Sequence, residues 1–174
     1  GVTISINNDA LVGGPETVTL HLFSPDGTAT VGSPSVATLT LLSDESLVEF
    51  SQSAYVVNEG VPGNMAVLTL VRSSGTTDVV QVDCVTIGGT ALPNVDYTPV
   101  TNTVRFNPGE VSKTVLIPIL NDSFGEQNKT VVLGLFNPAG PVTLGQRLTT
   151  LTIVDDDFRP GVLAFSAAAY HVRE

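Results

Sequence analysis

The chain repeats itself at a spacing of about 113 residues, and no other feature limits its fold as tightly. Val2-Thr-Ile-Ser-Ile-Asn-Asn-Asp9 returns as Val115-Leu-Ile-Pro-Ile-Leu-Asn-Asp122, and Thr17-Val-Thr-Leu-His-Leu-Phe23 returns as Thr130-Val-Val-Leu-Gly-Leu-Phe136. The opening of the unit also occurs twice. Leu47-Val-Glu-Phe-Ser-Gln-Ser-Ala-Tyr-Val-Val-Asn-Glu59 is echoed by Val162-Leu-Ala-Phe-Ser-Ala-Ala-Ala-Tyr-His-Val-Arg-Glu174. Solenoid repeats are far shorter, so this period fits whole domains strung in series. The expected organisation has three parts. Residues 1–46 are the C-terminal half of one domain, 47–157 a complete domain, and 158–174 a linker with the first strand of a third. The middle copy is long enough to bury its own core, and the flanking pieces are not. A window from a longer tandem protein is the expected context, with strand donation between neighbouring chains the weaker alternative.

Within the unit, short runs alternate apolar and polar residues between Gly, Pro, Asn and Ser clusters, and helical periodicity is absent. Strands are predicted near 47–58, 65–72, 79–87, 102–107, 111–120, 129–136 and 146–154. Ser73-Ser-Gly-Thr, Asn107-Pro-Gly and Asn137-Pro-Ala-Gly supply turns between them. Seven short strands in about 110 residues predict an all-β fold, an antiparallel immunoglobulin-like β-sandwich repeated in tandem. A barrel is the weaker alternative. The joints are short and acidic: Ser43-Asp-Glu-Ser46, then Asp155-Asp-Asp-Phe-Arg-Pro-Gly161.

Seven basic residues stand against seventeen acidic ones, a formal net charge of −10. That balance argues against nucleic acid, whose binding rests on basic phosphate contacts, and favours cations. The single Cys84 shares a strand face with Val80 and Val82, with no base or positive charge near it in sequence, so it reads as an inert packing residue. Lacking a partner cysteine, it cannot form an intradomain disulfide. No signal peptide or membrane span is visible.

The carboxylates of the middle copy fall at strand ends. Glu59 closes the first strand, Asp96 precedes Tyr97 in a loop, Asp122 and Glu126 follow the fifth strand, and Asp155, Asp156 and Asp157 follow the last. If the first, fifth and seventh strands run the same way, these acids converge at one tip. Like charges so crowded repel, and hard carboxylate oxygens without His or Cys suit Ca²⁺ better than Mg²⁺. The spacing leaves a second reading open, in which the acids are solvated loop residues.

Five segments, in order, resemble the Calx-β domain, a β-sandwich module named from sodium–calcium exchangers and found also in matrix and surface proteins. They are Phe50…Tyr55-Val-Val-Asn-Glu59, Gly89-Thr-Ala-Leu-Pro-Asn-Val-Asp96-Tyr97, Thr103-Val-Arg-Phe-Asn-Pro-Gly-Glu110, Ile117-Pro-Ile-Leu-Asn-Asp122 with Glu126, and Leu151-Thr-Ile-Val-Asp155-Asp-Asp157. The resemblance implies calcium ligation at one pole by Glu59, Asp96, Asp122, Glu126, Asp155, Asp156 and Asp157. Two positions depart from the pattern. Asn94 replaces a loop glycine, which its tolerance of the left-handed region allows. Lys129 stands where an acid is common, and pairing it with a carboxylate would lower the number of ions bound. The first copy is poorer: Asp9 matches Asp122, but Gly13 replaces Glu126, Glu16 aligns with Lys129, and Ser43-Asp44-Glu45 replaces the triple aspartate. Weaker or absent calcium binding is expected there. Glu174 would belong to the third domain's site.

No nucleophile elbow, zinc-protease or phosphate-loop pattern appears, and His21 and His171 align with Gly134 and Val56, away from the acids. Aromatics are 6% of the chain with no Trp, which leaves no sugar platform for paired carboxylates. The expectation is a calcium-stiffened module of an extracellular or cell-surface protein, not an enzyme. Its partners would be neighbouring domains of the same chain, with a protein or glycan adhesion partner and self-assembly into filaments as further expectations. A calcium-independent stalk module and an intracellular calcium-sensing domain are the alternatives.

Overall fold

The computed structural model describes residues 2–9, 11–23, 27–157, 161, 165–166 and 169–172. Its strands are β1 (Glu16–His21), β2 (Val36–Leu41), β3 (Ser46–Phe50), β4 (Ala54–Asn58), β5 (Met65–Ser74), β6 (Val80–Gly89), β7 (Thr101–Phe106), β8 (Ser112–Pro118), β9 (Lys129–Ala139), β10 (Val142–Leu144) and β11 (Leu148–Val154). No helix is present among the described residues. Strands β3 to β11 form two open sheets, ordered β10-β3-β5-β8 and β4-β11-β9-β6-β7. Two open sheets facing one another make a sandwich, so the barrel alternative is set aside.

Period-two patterning builds the core. Val48 and Phe50, Leu68 and Leu70, Val80 with Val82 and Cys84, Val115 and Ile117, Val131 with Leu133 and Leu135, and Leu151 and Ile153 all point inward. Arg105 faces solvent between half-buried Val104 and buried Phe106. Cys84 is buried, and burial pushes its thiol up to about 11, which keeps it protonated and inert. Asn94 has a φ of 61°, the left-handed conformation expected for a residue in a glycine's place.

Three expectations are corrected. The strand expected over 47–58 is two strands. β3 pairs with β5, the chain crosses at Ser51–Ser53, and β4 joins the other sheet beside β11. The physical reason is parity: Val48 and Phe50 face inward at even positions, Tyr55 and Val57 at odd ones, and a single regular strand cannot do both. The Tyr55 hydroxyl fastens the crossing by donating to the Thr69 carbonyl at 3.0 Å. Second, the sheets are not wholly antiparallel, because β10 with β3 and β11 with β4 are parallel pairs. Third, β10 is an extra three-residue strand. Of the expected first strand of a third domain, residues 162–174, only 165–166 and 169–172 are described, and these form no strand; Glu174 lies outside the described residues.

β1 and β2 form a separate two-stranded sheet. Adding 113 to β1 and 112 to β2 converts all six of its cross-strand pairs into those of β9 with β11, from Glu16↔Leu41 against Lys129↔Ile153 to His21↔Val36 against Gly134↔Leu148. The hairpin thus reproduces the β9–β11 pair residue for residue, while Val18, Leu20 and Phe23 stay exposed.

Candidate metal centre

The chain enters the sandwich at one end, at Ser46, and leaves from the other, after Val154. β4, β8 and β11 all run toward that far end, and β9 starts from it. Glu59 follows β4, Asp155 to Asp157 follow β11, Asp122 and Glu126 lie in the loop between β8 and β9, and the 90–97 loop leaves β6 there. The far end therefore gathers all seven acids named from the sequence.

They form two groups. In the first, Glu59 is 7% exposed, and its Oε1 accepts the Asp122 backbone N–H at 3.2 Å. Glu59, Asp156 and Asp157 each place one carboxylate oxygen within 4.8 Å of the others. Asp155 Oδ1 and Asp157 Oδ2 are buried oxygens with no hydrogen-bond partner. Burial raises the Glu59 pKa, reinforced by the charges of Asp122, Asp155 and Asp157 although the Asp122 N–H opposes it. Burial likewise raises Asp157, with Asp155, Asp156 and Asp122 adding to it. Raised carboxylate pKa values here mean that negative charge is poorly compensated.

The second group is partly compensated, with one ammonium against two carboxylates. Lys129 Nζ lies 2.8 Å from Asp96 Oδ1 and also pairs with Glu126. These two bonds raise the lysine pKa and keep it charged. Asp96 is 4% exposed, and its other oxygen accepts the Leu92 N–H at 2.6 Å. The tethered ammonium therefore supplies to Asp96 and Glu126 the positive charge that the first group lacks.

The backbone prepares the site in ways that residue types alone do not announce. The Asp122 Oδ1 accepts the Phe124 N–H at 2.6 Å, fixing the loop. Asn128 Oδ1 accepts the Asp155 N–H at 3.4 Å and steers the departing tail. A Cβ at Gly60 would lie 2.4 Å from Asp156 Oδ2, so glycine after Glu59 lets the tail approach. The position of Gly60 beside Glu59 was the one available sequence signal; Asn128 carried none.

In the hairpin region the same loop recurs with fewer acids. Asp9 Oδ1 accepts the Leu11 N–H at 2.9 Å, matching Asp122 with Phe124. Asp9, Glu16, Asp44 and Glu45 line one cleft, yet no three of them bring carboxylate oxygens together among the described residues.

A two-sheet sandwich with carboxylate oxygens gathered at its exit pole has the donor chemistry that a hard divalent cation takes. The Calx-beta domain family matches over residues 1–45 and 42–157, and the chain belongs to that family. Sodium/calcium exchanger 1 of Felis catus is 32% identical over 147 residues, 74% of this chain and 15% of the exchanger. The adhesion G-protein coupled receptor V1 of Danio rerio is 31% identical over 114 residues, 62% of this chain and 2% of the receptor. The human extracellular matrix organizing protein FRAS1 is 29% identical over 166 residues, 89% of this chain and 4% of that protein. The chain thus spans only a small part of these relatives. Among solved structures, the apo-form Calx CBD1 domain superposes with a TM-score of 0.62 at 25% identity, covering 65% of this chain and 99% of that one. The calcium binding domain CBD12 of CALX1.1 superposes with a TM-score of 0.60 at 26% identity, covering 63% and 44%.

Proposed function

We propose that the sandwich binds Ca²⁺ at its exit pole and that binding stiffens the joint with whatever follows Asp157. The observation that carries this reading is the pair of buried, unpartnered oxygens on Asp155 and Asp157, beside the converging oxygens of Glu59, Asp156 and Asp157. All donors are carboxylate oxygens, the set a hard divalent cation takes. Glu59, Asp122, Asp155, Asp156 and Asp157 would hold the ion, which would supply the positive charge that Lys129 gives the other half. Asp96 and Glu126, assigned as ligands by resemblance, are instead engaged by Lys129, so fewer ions are held than seven acids suggest.

Stiffening follows from where the ligands come from. Glu59 belongs to the body of the sandwich, while Asp155 to Asp157 are its departing tail. Without the ion their charges repel and loosen the tail; with it, tail and body are joined. We read residues 1–45 as the second half of a preceding unit, supported by the shared register of β1–β2 and β9–β11. We place the parent protein at a cell surface or in a matrix, supported by the FRAS1 and adhesion-receptor relatives, and assign the module no catalysis. The exchanger relative favours a second reading, a calcium-sensing regulatory domain of a membrane protein.

Ligand binding to the native state alone stabilises it by roughly 2.7 kcal/mol at a hundredfold excess over Kd. The melting temperature of the chain should therefore rise by on the order of 10 °C between chelator and saturating Ca²⁺. An unchanged melting temperature would contradict the proposal.

A further inference from the structure

The joint Ser43–Ser46 is not an exposed linker. Glu45 is 6% exposed and Ser46 fully buried, at the entry end of the sandwich, opposite the acid pole. The Gly75 N–H donates to the Glu45 carbonyl at 2.9 Å, and the Ser46 N–H donates to the Pro141 carbonyl at 2.8 Å. Arg72, itself 3% exposed, donates from Nε to Ser46 Oγ at 2.9 Å, from one terminal nitrogen to the Gly75 carbonyl at 2.7 Å, and from the other to the Asn107 carbonyl at 3.4 Å. The Ser46 hydroxyl in turn donates to the Gly75 carbonyl. A buried guanidinium with no carboxylate in ion-pair range among the described residues has to be satisfied by such oxygens, and this one links the joint at Ser46 to the turns at Gly75 and Asn107. A Cβ at Gly75 would lie 2.1 Å from the Asp44 carbonyl oxygen, so the 73–76 turn closes on the joint as tightly as a glycine permits.

The contacts continue toward the hairpin. Ser43 Oγ lies 3.1 Å from Glu45 Oε2 and 3.4 Å from the Leu11 carbonyl, and it accepts the Gly13 N–H at 3.4 Å. In the repeat register Ser43, Asp44 and Glu45 correspond to Asp155, Asp156 and Asp157.

We propose that the entry end of the sandwich, built from Arg72, Gly75 and Pro141, is a cation-independent docking slot for the short acidic tail of a preceding Calx-beta unit. The tail of each unit then has two faces. Its side chains reach back to the acid pole of its own unit, and its backbone is held permanently by the next. The slot stands apart from the calcium reading.

Backbone ¹⁵N relaxation on the full chain tests the slot. The amides of Glu45, Ser46 and Gly75 should give order parameters near about 0.85, the rigid range, in chelator and in Ca²⁺ alike. Arg72→Met should lower the values at Asp44 to Ser46 below about 0.6, the flexible range, while the amides of β6 and β9 keep theirs. Gly75→Ala, which pushes the Asp44 carbonyl away without touching Arg72, should do the same and carries the test alone if Arg72→Met does not fold. Low values in chelator that rise only with Ca²⁺, or values at Asp44 to Ser46 unmoved by Gly75→Ala, would overturn the slot. Loss of calcium binding alone would leave it intact.

Discussion

The exit pole of the sandwich and its counterpart beside the hairpin share a backbone and differ in charge. Both carry the aspartate that accepts the N–H two residues on, Asp122 with Phe124 and Asp9 with Leu11. Both pair their strands in one register. Yet Lys129 becomes Glu16, Glu126 becomes Gly13, and three aspartates become Ser43, Asp44 and Glu45. Loop and strand geometry thus persist without the full ligand set. The pole is a backbone frame onto which charge is placed, and the count of acids and lysines, not the fold, sets what it holds.

The comparison breaks most directly at the acids whose oxygens converge at the exit pole, since their counterparts Asp44 and Glu45 join no such cluster among the described residues. Asp156→Asn with Asp157→Asn should abolish the calcium-dependent rise in melting temperature, on the order of 10 °C, followed by differential scanning calorimetry. The same chain in chelator should be no less stable than wild type, because two repelling charges are gone. A calcium response that survives both changes would place the ion elsewhere.

Lys129 is the next lever. Lys129→Met leaves Asp96 and Glu126 without their cation, and in chelator it should destabilise the sandwich by about 1–3 kcal/mol in urea titrations, a range kept low because Glu126 is partly exposed. Saturating Ca²⁺ should recover that loss and raise the number of ions bound. A smaller effect is expected at Gly60. There the added methyl of Gly60→Ala must displace the Asp156 carboxylate, weakening calcium affinity several-fold, roughly 1 kcal/mol in a titration.

The pH dependence should be the mildest. Glu59 and Asp157 have raised pKa values in the ion-free fold. Just above the ordinary carboxylate range the native state therefore holds protons that the unfolded chain has released. Linkage then makes the contribution of these two groups to stability grow as pH falls through that window and shrink as it rises toward neutrality. Calcium should flatten or reverse that slope, and thermal melts across acidic to neutral pH would show it.

Much of this architecture is legible in the sequence because period-two burial and turn chemistry are local. The 113-residue repeat carries the register of β1–β2, and terminal acids on strands of one direction carry the pole. The split of the first strand is written there too, in the change of parity between Phe50 and Tyr55 across the polar Ser51-Gln52-Ser53. Parallel pairing of β4 with β11 was not legible, since it depends on which sheet the crossing reaches. The pairing of Lys129 was legible only in part, since Glu126 is its neighbour three residues back while Asp96 is reached through tertiary placement. The buried joint at Ser46 was hidden for a similar reason: its partners, Arg72 and Gly75, lie 26 and 29 residues away.

Isothermal titration of the chain with Ca²⁺, beside Asp156→Asn with Asp157→Asn, tests the central claim most directly. The account predicts saturable binding to the wild type at millimolar calcium or below, with no binding to the doubly substituted chain. No saturable heat from the wild type, or equal binding by both, would contradict it.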